Sequence, residues 1–107
     1  MGGRKDDAEK LRMDLIPPEA IEALAEVLTY GASKYEPRNW EKGIKYSRLF
    51  AATMRHFVAF WRGENFDKES GISHLKHVLC NVAFLIAFEA RGARDNWPLD
   101  DRETDGK

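Results

Sequence analysis

The chain has 107 residues, of which 43% are hydrophobic and 33% charged, and its formal net charge is −1. This length predicts one domain with a small core, and the near-zero charge gives no broad basic surface for nucleic acid. No apolar run approaches the roughly 20 residues of a membrane span and no signal peptide is evident, so we expect a cytoplasmic protein without a membrane partner. Cys80 is the only cysteine, which excludes a disulfide within the chain and favours a reducing compartment.

Three segments differ in composition. Residues 1–14 are mostly polar and lack a hydrophobic period, which predicts a flexible N-terminal arm. Residues 15–90 contain the long apolar segments with helical spacing and predict a single all-α domain. Residues 91–107 are charged, and we expect a C-terminal tail that is irregular from about Glu89 onward and anchored, if at all, by Trp97.

The first predicted helix begins at Pro17 and Pro18, because proline is tolerated in the first turn, and it ends at Gly31. Its apolar residues recur at helical spacing through Tyr30. Three glutamates share another face of the same helix, and that face suits either a divalent cation or simple exposure to solvent. They are Glu19, Glu22 and Glu26.

The longest irregular stretch inside the domain covers residues 31–45, GASKYEPRNWEKGIK. It mixes cations, an amide and aromatic rings among turn-forming residues. Cations contact phosphate and aromatic rings stack on bases, so the stretch suits an anionic ligand with a flat ring. Alternatively, Tyr35 and Trp40 only anchor the loop to the core. The candidate ligand-binding residues here are Lys34, Arg38, Asn39 and Trp40.

Two more helices are predicted on either side of a short polar turn, which makes them a helical hairpin. Ser47 is expected to cap the first of them and Gly63 to end it, while Ser70 or Asp67 caps the second. The first should bury its apolar side, which consists of Leu49, Phe50, Met54, Phe57, Val58 and Trp61.

The last predicted helix is apolar on nearly all sides between Val78 and Phe88. Such a helix must be buried nearly all round, and three helices of this length cannot cover it. We therefore predict a homo-oligomer, a dimer or tetramer, in which this helix packs against a second chain in a bundle of four or more helices.

Folding the hairpin about its middle brings the three histidines together beside the acidic turn. Carboxylates favour Mg²⁺ or Mn²⁺, and imidazole shifts the preference toward Mn²⁺, Zn²⁺ or Fe²⁺. Such a cluster predicts a cation site that activates water and offsets phosphate charge, with Glu64 and Asp67 as catalytic groups. The alternative is a structural hydrogen-bond network. The candidate metal ligands are Glu64, Asp67, His56, His74 and His77.

Two neighbours of the histidines are candidate substrate contacts. Arg55 directly precedes His56 and suits a phosphate, and Asn81 follows His74 and His77 on one stripe of its helix. No glycine-rich phosphate loop, nucleophile elbow or His-Asp dipeptide is present, and a cysteine in an apolar run disfavours thiolate chemistry.

Two stretches, LIPPEAIEALAEVLTYGASKYEPRNWEKG and RHFVAFWRGENFDKESGISHLKHVLCNVAFL, together resemble the dATP/dGTP diphosphohydrolase N-terminal domain family, found mainly in phage proteins. That family is similar to the all-α nucleotide pyrophosphohydrolases of the MazG type. The resemblance covers about residues 11–90, and its most specific parts are GASKY-x3-NW and RH-x7-E-x2-D-x6-H-x2-H. It implies an all-α oligomer, in the host cytoplasm if phage-encoded, that uses Mg²⁺ or Mn²⁺ to hydrolyse dATP or dGTP to the monophosphate and pyrophosphate.

The chain departs from the MazG pattern at the metal site. Enzymes of that type carry EExxE on one helix and ExxD on the next, where this chain has Arg55-His56 and His74-Leu75-Lys76-His77. Either a different set, including Glu64, Asp67 and the first-helix glutamates, binds the metal, or the metal site is lost. In the second case the domain is a non-catalytic nucleotide-binding or interaction module; the net charge disfavours a DNA-binding protein.

Overall fold

The computed structural model describes residues 9–95 and 99–103, and of residues 93–95 it describes the backbone alone. Three helices form the domain: α1 (Pro18–Lys34), α2 (Tyr46–Trp61) and α3 (His74–Asp95). Short 3₁₀ turns, Met13–Leu15 and Asn39–Lys42, precede α1 and α2. The all-α prediction is confirmed. Residues 1–8 of the predicted arm, and Trp97 and residues 104–107 of the predicted tail, lie outside the described residues.

Helix α1 begins with Pro18 in its first turn, as predicted, but it does not end at Gly31. The helix continues to Lys34, and the N–H of Tyr35 donates to the carbonyl of Gly31 at 2.9 Å. Gly31 keeps a helical backbone, because the glycines with positive φ are those at positions 43, 63 and 71. The predicted end is therefore wrong by one turn.

Helices α2 and α3 form the predicted hairpin, and α3 also packs against α1. Gly63, with φ +98°, follows the end of α2 as predicted. The predicted caps are wrong, because the helices begin elsewhere: α2 begins at Tyr46, so Ser47 lies inside its first turn, and α3 begins at His74, beyond Asp67 and Ser70. Ser47 donates from its N–H and its hydroxyl to Asp101, at 2.9 and 2.6 Å, and Ser73 accepts from the N–H of Leu75 at 3.2 Å.

A small core lies between α1 and α3. Val27, Ile72 and Cys80 are buried at its centre, and Leu24, Tyr30 and Phe84 pack around them. On α2, by contrast, the apolar side predicted to be buried is mostly exposed. Leu49 is 4% exposed, whereas Phe50 is 64% and Trp61 86% exposed. Within one chain that prediction is wrong, because no other described element covers this side of α2.

The C-terminal segment is more ordered than its composition predicts. Helix α3 continues to Asp95, so the expectation of irregular chain from Glu89 is wrong over that length. Residues 99–103 then lie against the start of α2, where the N–H of Tyr46 donates to the carbonyl of Leu99 at 2.9 Å. No helix in the described part of the chain is both long and apolar enough to cross a membrane.

Candidate active site

The turn between α2 and α3 places the acidic residues over the histidines. Its two sides are tied by backbone hydrogen bonds from the N–H of Asp67 to Ile72 O, 2.8 Å, and from the N–H of His74 to Asn65 O, 2.9 Å. Phe66 and Ser73 form an isolated antiparallel bridge. These bonds hold Glu64 and Asp67 in a fixed register with the first turn of α3.

One chain of hydrogen bonds runs from the turn through two histidines. Nε2 of His74 donates to Oε2 of Glu64 at 2.6 Å, and Nδ1 of His74 lies 2.8 Å from Nδ1 of His56. His74 is 3% exposed, so its orientation is set by these contacts and by packing. Because Glu64 uses the Nε2–H, the Nδ1 atom of neutral His74 carries a lone pair that faces His56.

A second network joins the turn to His77. The hydroxyl and the N–H of Ser70 donate to Oδ2 of Asp67 at 2.8 and 2.9 Å. Nε2 of His77 lies 2.8 Å from Oγ of Ser70, which also accepts from the N–H of Ile72 at 3.1 Å. Since the Ser70 proton is given to Asp67, Nε2 of His77 is the donor and its Nδ1 carries the lone pair.

The two networks meet where the imidazole rings pack together. His56 stacks on His77 with centroids 4.7 Å apart and planes 7° apart, and its ring lies 5.1 Å from that of His74. The prediction that the three imidazoles converge is confirmed. Whether they hold a metal stays a prediction, as does the catalytic role of the carboxylates.

Burial favours the neutral form of the stacked imidazoles of His56 and His77. Loss of solvent lowers the pKa of both His56 and His77 and their neighbouring histidines lower it further, while the Asp67 carboxylate acts in the opposite direction without reversing the shift. Burial acts to raise the pKa of Asp67, but the two hydrogen bonds from Ser70 act to lower it and protonation of His77 or His56 would lower it further, so the pKa is below its usual range. At neutral pH the site therefore combines a carboxylate with imidazole lone pairs.

This combination fits a divalent cation. Ligand atoms from His56, Asp67 and His74 all lie within 4.8 Å of one another. Two nitrogen donors and one carboxylate suit Mn²⁺, Fe²⁺ or Zn²⁺ better than Mg²⁺. Glu64 contacts the far nitrogen of His74, which is the usual place of a carboxylate that orients a metal-ligating histidine.

A cavity of about 700 Å³ adjoins the cluster, and we call it the aromatic cavity. His77 is part of its lining, so the cavity and the histidine cluster share a wall. Rings line much of it, together with the amides of Asn39 and Asn81 and the side chain of Arg38. The lining rings are those of Tyr30, Tyr35, Trp40 and Phe84. A volume of this size and this mixture of rings and amides suit a small flat ligand.

Trp40 is both an anchor of its loop and part of this lining. Its ring stacks on Phe84 with centroids 4.8 Å apart and contacts Phe88, and the guanidinium of Arg91 lies 5.1 Å from its centroid. Glu41 accepts from Arg91 at 2.9 Å and from Arg38 at 2.9 and 2.6 Å. These contacts fix the loop on α3, so the anchoring interpretation of Trp40 holds without excluding ligand contact.

Two predicted phosphate contacts lie away from the cavity lining. Lys34 forms an ion pair with Glu69 of the turn and lies near the rings of Tyr30 and Tyr35. Arg55 lines a separate depression of about 430 Å³, shared with Glu64. Both remain within the surroundings of the acidic turn, and their role stays a prediction.

Sequence reasoning missed the roles of two residues that organise the site. Ser70, expected to cap a helix, instead joins Asp67 to His77; its spacing of seven residues from His77 was the available signal. Glu41 fixes the cavity loop through Arg91, at a distance in sequence that no local pattern reveals. Of the first-helix glutamates, Glu26 pairs with Lys76 at 2.7 Å, whereas Glu19 and Glu22 are exposed.

This geometry defines a class of protein: an all-α domain that carries a cluster of histidines and carboxylates in a helical hairpin, beside an aromatic cavity. The family described as dATP/dGTP diphosphohydrolase, N-terminal, matches residues 1–102. A protein of Salmonella phage PMBT28 named dATP/dGTP diphosphohydrolase is 33% identical over 104 residues, which are 97% of this chain and 32% of that protein. The chain belongs to this family.

The match is unequal in length. The chain spans about a third of the Salmonella phage protein, so the activity of that whole protein is not carried over with the fold. No solved structure matches the chain.

Proposed function

We propose that this domain hydrolyses dATP or dGTP to the monophosphate and pyrophosphate with the help of a divalent cation, Mg²⁺ or Mn²⁺, in a cytoplasmic setting. One observation carries the proposal: His77 belongs to the histidine cluster and also lines the aromatic cavity. It allows the base to lie in the cavity while the phosphates reach the cluster.

The residues of the cluster divide the work in this proposal. His56, His74 and Asp67 hold the cation, Glu64 orients His74, and His77 completes the wall. A bound cation supplies a Lewis acid that offsets phosphate charge and acidifies water. Asp67 also accepts two hydrogen bonds from Ser70, which keep its carboxylate ionised and fixed in direction.

The substrate contacts follow the cavity. Asn39 and Asn81 offer amides to the edge of a base, and the nearby rings pack against its faces. Lys34, Arg38 and Arg55 are the candidate phosphate contacts. Two of them are held by carboxylates, Lys34 by Glu69 and Arg38 by Glu41, so each must leave that partner to meet a phosphate.

We also propose that the domain works as a homo-oligomer. Four apolar side chains on α2 recur at helical spacing and are exposed: Phe50, Met54, Phe57 and Trp61. We call this set the α2 stripe. Exposed apolar surface of this extent marks an interface more often than it marks plain surface. Leu75, Val82 and Ile86 of α3 are exposed as well. We therefore keep the predicted contact through the last helix and propose that α2 also takes part in the interface.

The test is a screen of nucleoside triphosphates with Mg²⁺ or Mn²⁺ that follows pyrophosphate and orthophosphate separately. We expect pyrophosphate release from dATP or dGTP. Asp67→Asn should abolish turnover and keep the fold, because the amide oxygen still accepts from Ser70. Asp14→Asn, which removes a carboxylate paired with Arg12 outside the site, is the matched control and should retain full activity.

A non-catalytic binding module is the second candidate. One observation favours it: among the described residues, no buried side-chain nitrogen or oxygen lacks a hydrogen-bond partner, so the cluster is satisfied without a cation. Nucleotide binding without pyrophosphate release, and thermal stability unaffected by Mn²⁺, would establish this function instead.

A further inference from the structure

Gly31 lies in α1, where no feature of the backbone requires a glycine. The helix continues through it to Lys34, and its carbonyl accepts from the N–H of Tyr35 at 2.9 Å. Its φ is not among the positive values that favour glycine. Glycine in a helix interior lowers helix stability relative to alanine, so this position carries a cost.

Packing does not explain the glycine either. A Cβ atom placed on Gly31 would meet no heavy atom within 4 Å beyond its own helix and neighbours. Helices that use glycine for close approach to another element show the opposite, a Cβ position already occupied by the neighbour. The fold of the single chain therefore tolerates a larger residue at this position.

Gly31 belongs to the lining of the aromatic cavity, and we assign the open space at its Cβ position to that cavity. Tyr30 and Tyr35, on either side in sequence, line the same cavity, as do the amides of Asn39 and Asn81. A bare stretch of helix backbone between aromatic side chains leaves room for a flat ring to lie against the helix.

We propose that Gly31 is a specificity-determining residue that keeps this wall of the cavity bare so that the nucleobase can lie against the backbone of α1. The proposal rests on the proposed function, since it takes the ligand to be a nucleotide. It assigns the base, rather than the phosphates, to the Gly31 side of the cavity.

Gly31→Ala is the test, and Gly92→Ala is its matched control. Gly92 is also inside a helix, and a Cβ there also meets nothing within 4 Å, but it lies outside the aromatic cavity. Both variants should raise the melting temperature, because alanine is the better helix former. Only Gly31→Ala should weaken nucleotide binding, by roughly 5- to 150-fold, which is the usual effect of one misplaced methyl group.

Calorimetric titration with Mn²⁺ present measures this with two probes, dGTP and inorganic triphosphate. We expect Gly31→Ala to raise Kd for dGTP and leave Kd for inorganic triphosphate unchanged, since the latter has no base. In turnover assays KM should rise while kcat stays within about twofold.

Three results would overturn the assignment. Equal dGTP affinity in the wild type and Gly31→Ala would show that the base does not lie there, while leaving the proposed hydrolysis intact. A lower melting temperature for Gly31→Ala would show that the space is filled. A wild-type protein that binds no nucleotide would overturn both proposals. Nucleotide binding without hydrolysis would overturn the proposed function alone, and the role of Gly31 would still be tested by the Kd values.

Discussion

The Nδ1 atoms of His56 and His74 lie 2.8 Å apart although the residues belong to different helices. Glu64 takes the proton-bearing Nε2 of His74, so the Nδ1 of that ring offers a lone pair. Nδ1 of His56 has two possible states. It either carries a proton and donates it in a hydrogen bond to this lone pair, or it carries a lone pair of its own next to that of His74. The second arrangement is a cation site with Asp67 as its carboxylate, and the first is a structural network.

Metal binding separates these two arrangements. We expect Mn²⁺ to raise the melting temperature more than Mg²⁺ does, because two of the three close donors are imidazoles. At about 100 times its Kd a bound ion adds about 2.7 kcal/mol to the free energy of unfolding. Differential scanning fluorimetry with EDTA, Mg²⁺ and Mn²⁺ measures the shift. His56→Ala should abolish it, and an unchanged shift in that variant would place the ion elsewhere.

Glu64 should act on the metal through His74. In Glu64→Gln the neutral amide no longer raises the basicity of His74 as the carboxylate does, so we expect Mn²⁺ affinity to fall roughly 10- to 100-fold. Glu69→Gln changes a carboxylate in the same turn that pairs with Lys34 instead, and it serves as the control. Titration with Mn²⁺ gives both affinities. Equal losses in the two variants would mean that the charge of the turn matters and the contact with His74 does not.

Local patterns predicted the helices and the meeting of the histidines, because both depend on spacing along one hairpin. His56 and His77 stack, as the folding of the hairpin about its middle implies. The cap of α2 was not predictable in this way. Ser47 offers a good cap by composition, yet Asp101, which is 54 positions away, binds it. Only the tertiary fold brings that carboxylate to the helix.

The exposure of α2 shows a different limit. Hydrophobic spacing identifies the side of a helix that avoids water, but it does not say which chain covers it. Phe50 and Trp61 therefore have the pattern of core residues and the exposure of surface residues. In the same way the sequence identified Lys34 and Arg38 as cations suited to phosphate, but it did not predict their ion pairs with Glu69 and Glu41.

Cys80 should be unreactive in the folded protein. Burial raises its pKa from 9.0 to about 11, and it is the only cysteine of the chain. At pH 8 about one molecule in a thousand then carries the thiolate, so alkylation by iodoacetamide should be slow in buffer and fast in urea. Mass spectrometry of timed samples measures both rates. Rapid alkylation without urea would show that α3 opens locally.

The same pKa shift makes stability depend on alkaline pH. A thiol whose folded pKa is raised contributes stability that is complete below pH 9 and is lost as pH rises toward 11. Urea unfolding at pH 8 and pH 11 should therefore show a smaller decrease in Cys80→Ala than in the wild type. An equal decrease in both would assign the alkaline loss to other groups.

The α2 stripe should hold the oligomer together. Trp61 is 86% exposed in the single chain, and a large aromatic residue of this kind often contributes most to an interface. We expect the wild type to elute as a dimer or larger species in size-exclusion chromatography with light scattering, and Trp61→Glu to elute as a monomer. A charge inserted into an apolar contact would lose its solvation on association, which opposes assembly.

Leu11→Glu is the matched control for this variant, because Leu11 is equally exposed, at 86%, but precedes α1 and lies outside the stripe. It should assemble as the wild type does. A wild type that stays monomeric at high concentration would show that the stripe has another role. If both variants remain assembled, the contact lies on the exposed side of α3, where Ile86 is 60% exposed, and Ile86→Glu should then dissociate it.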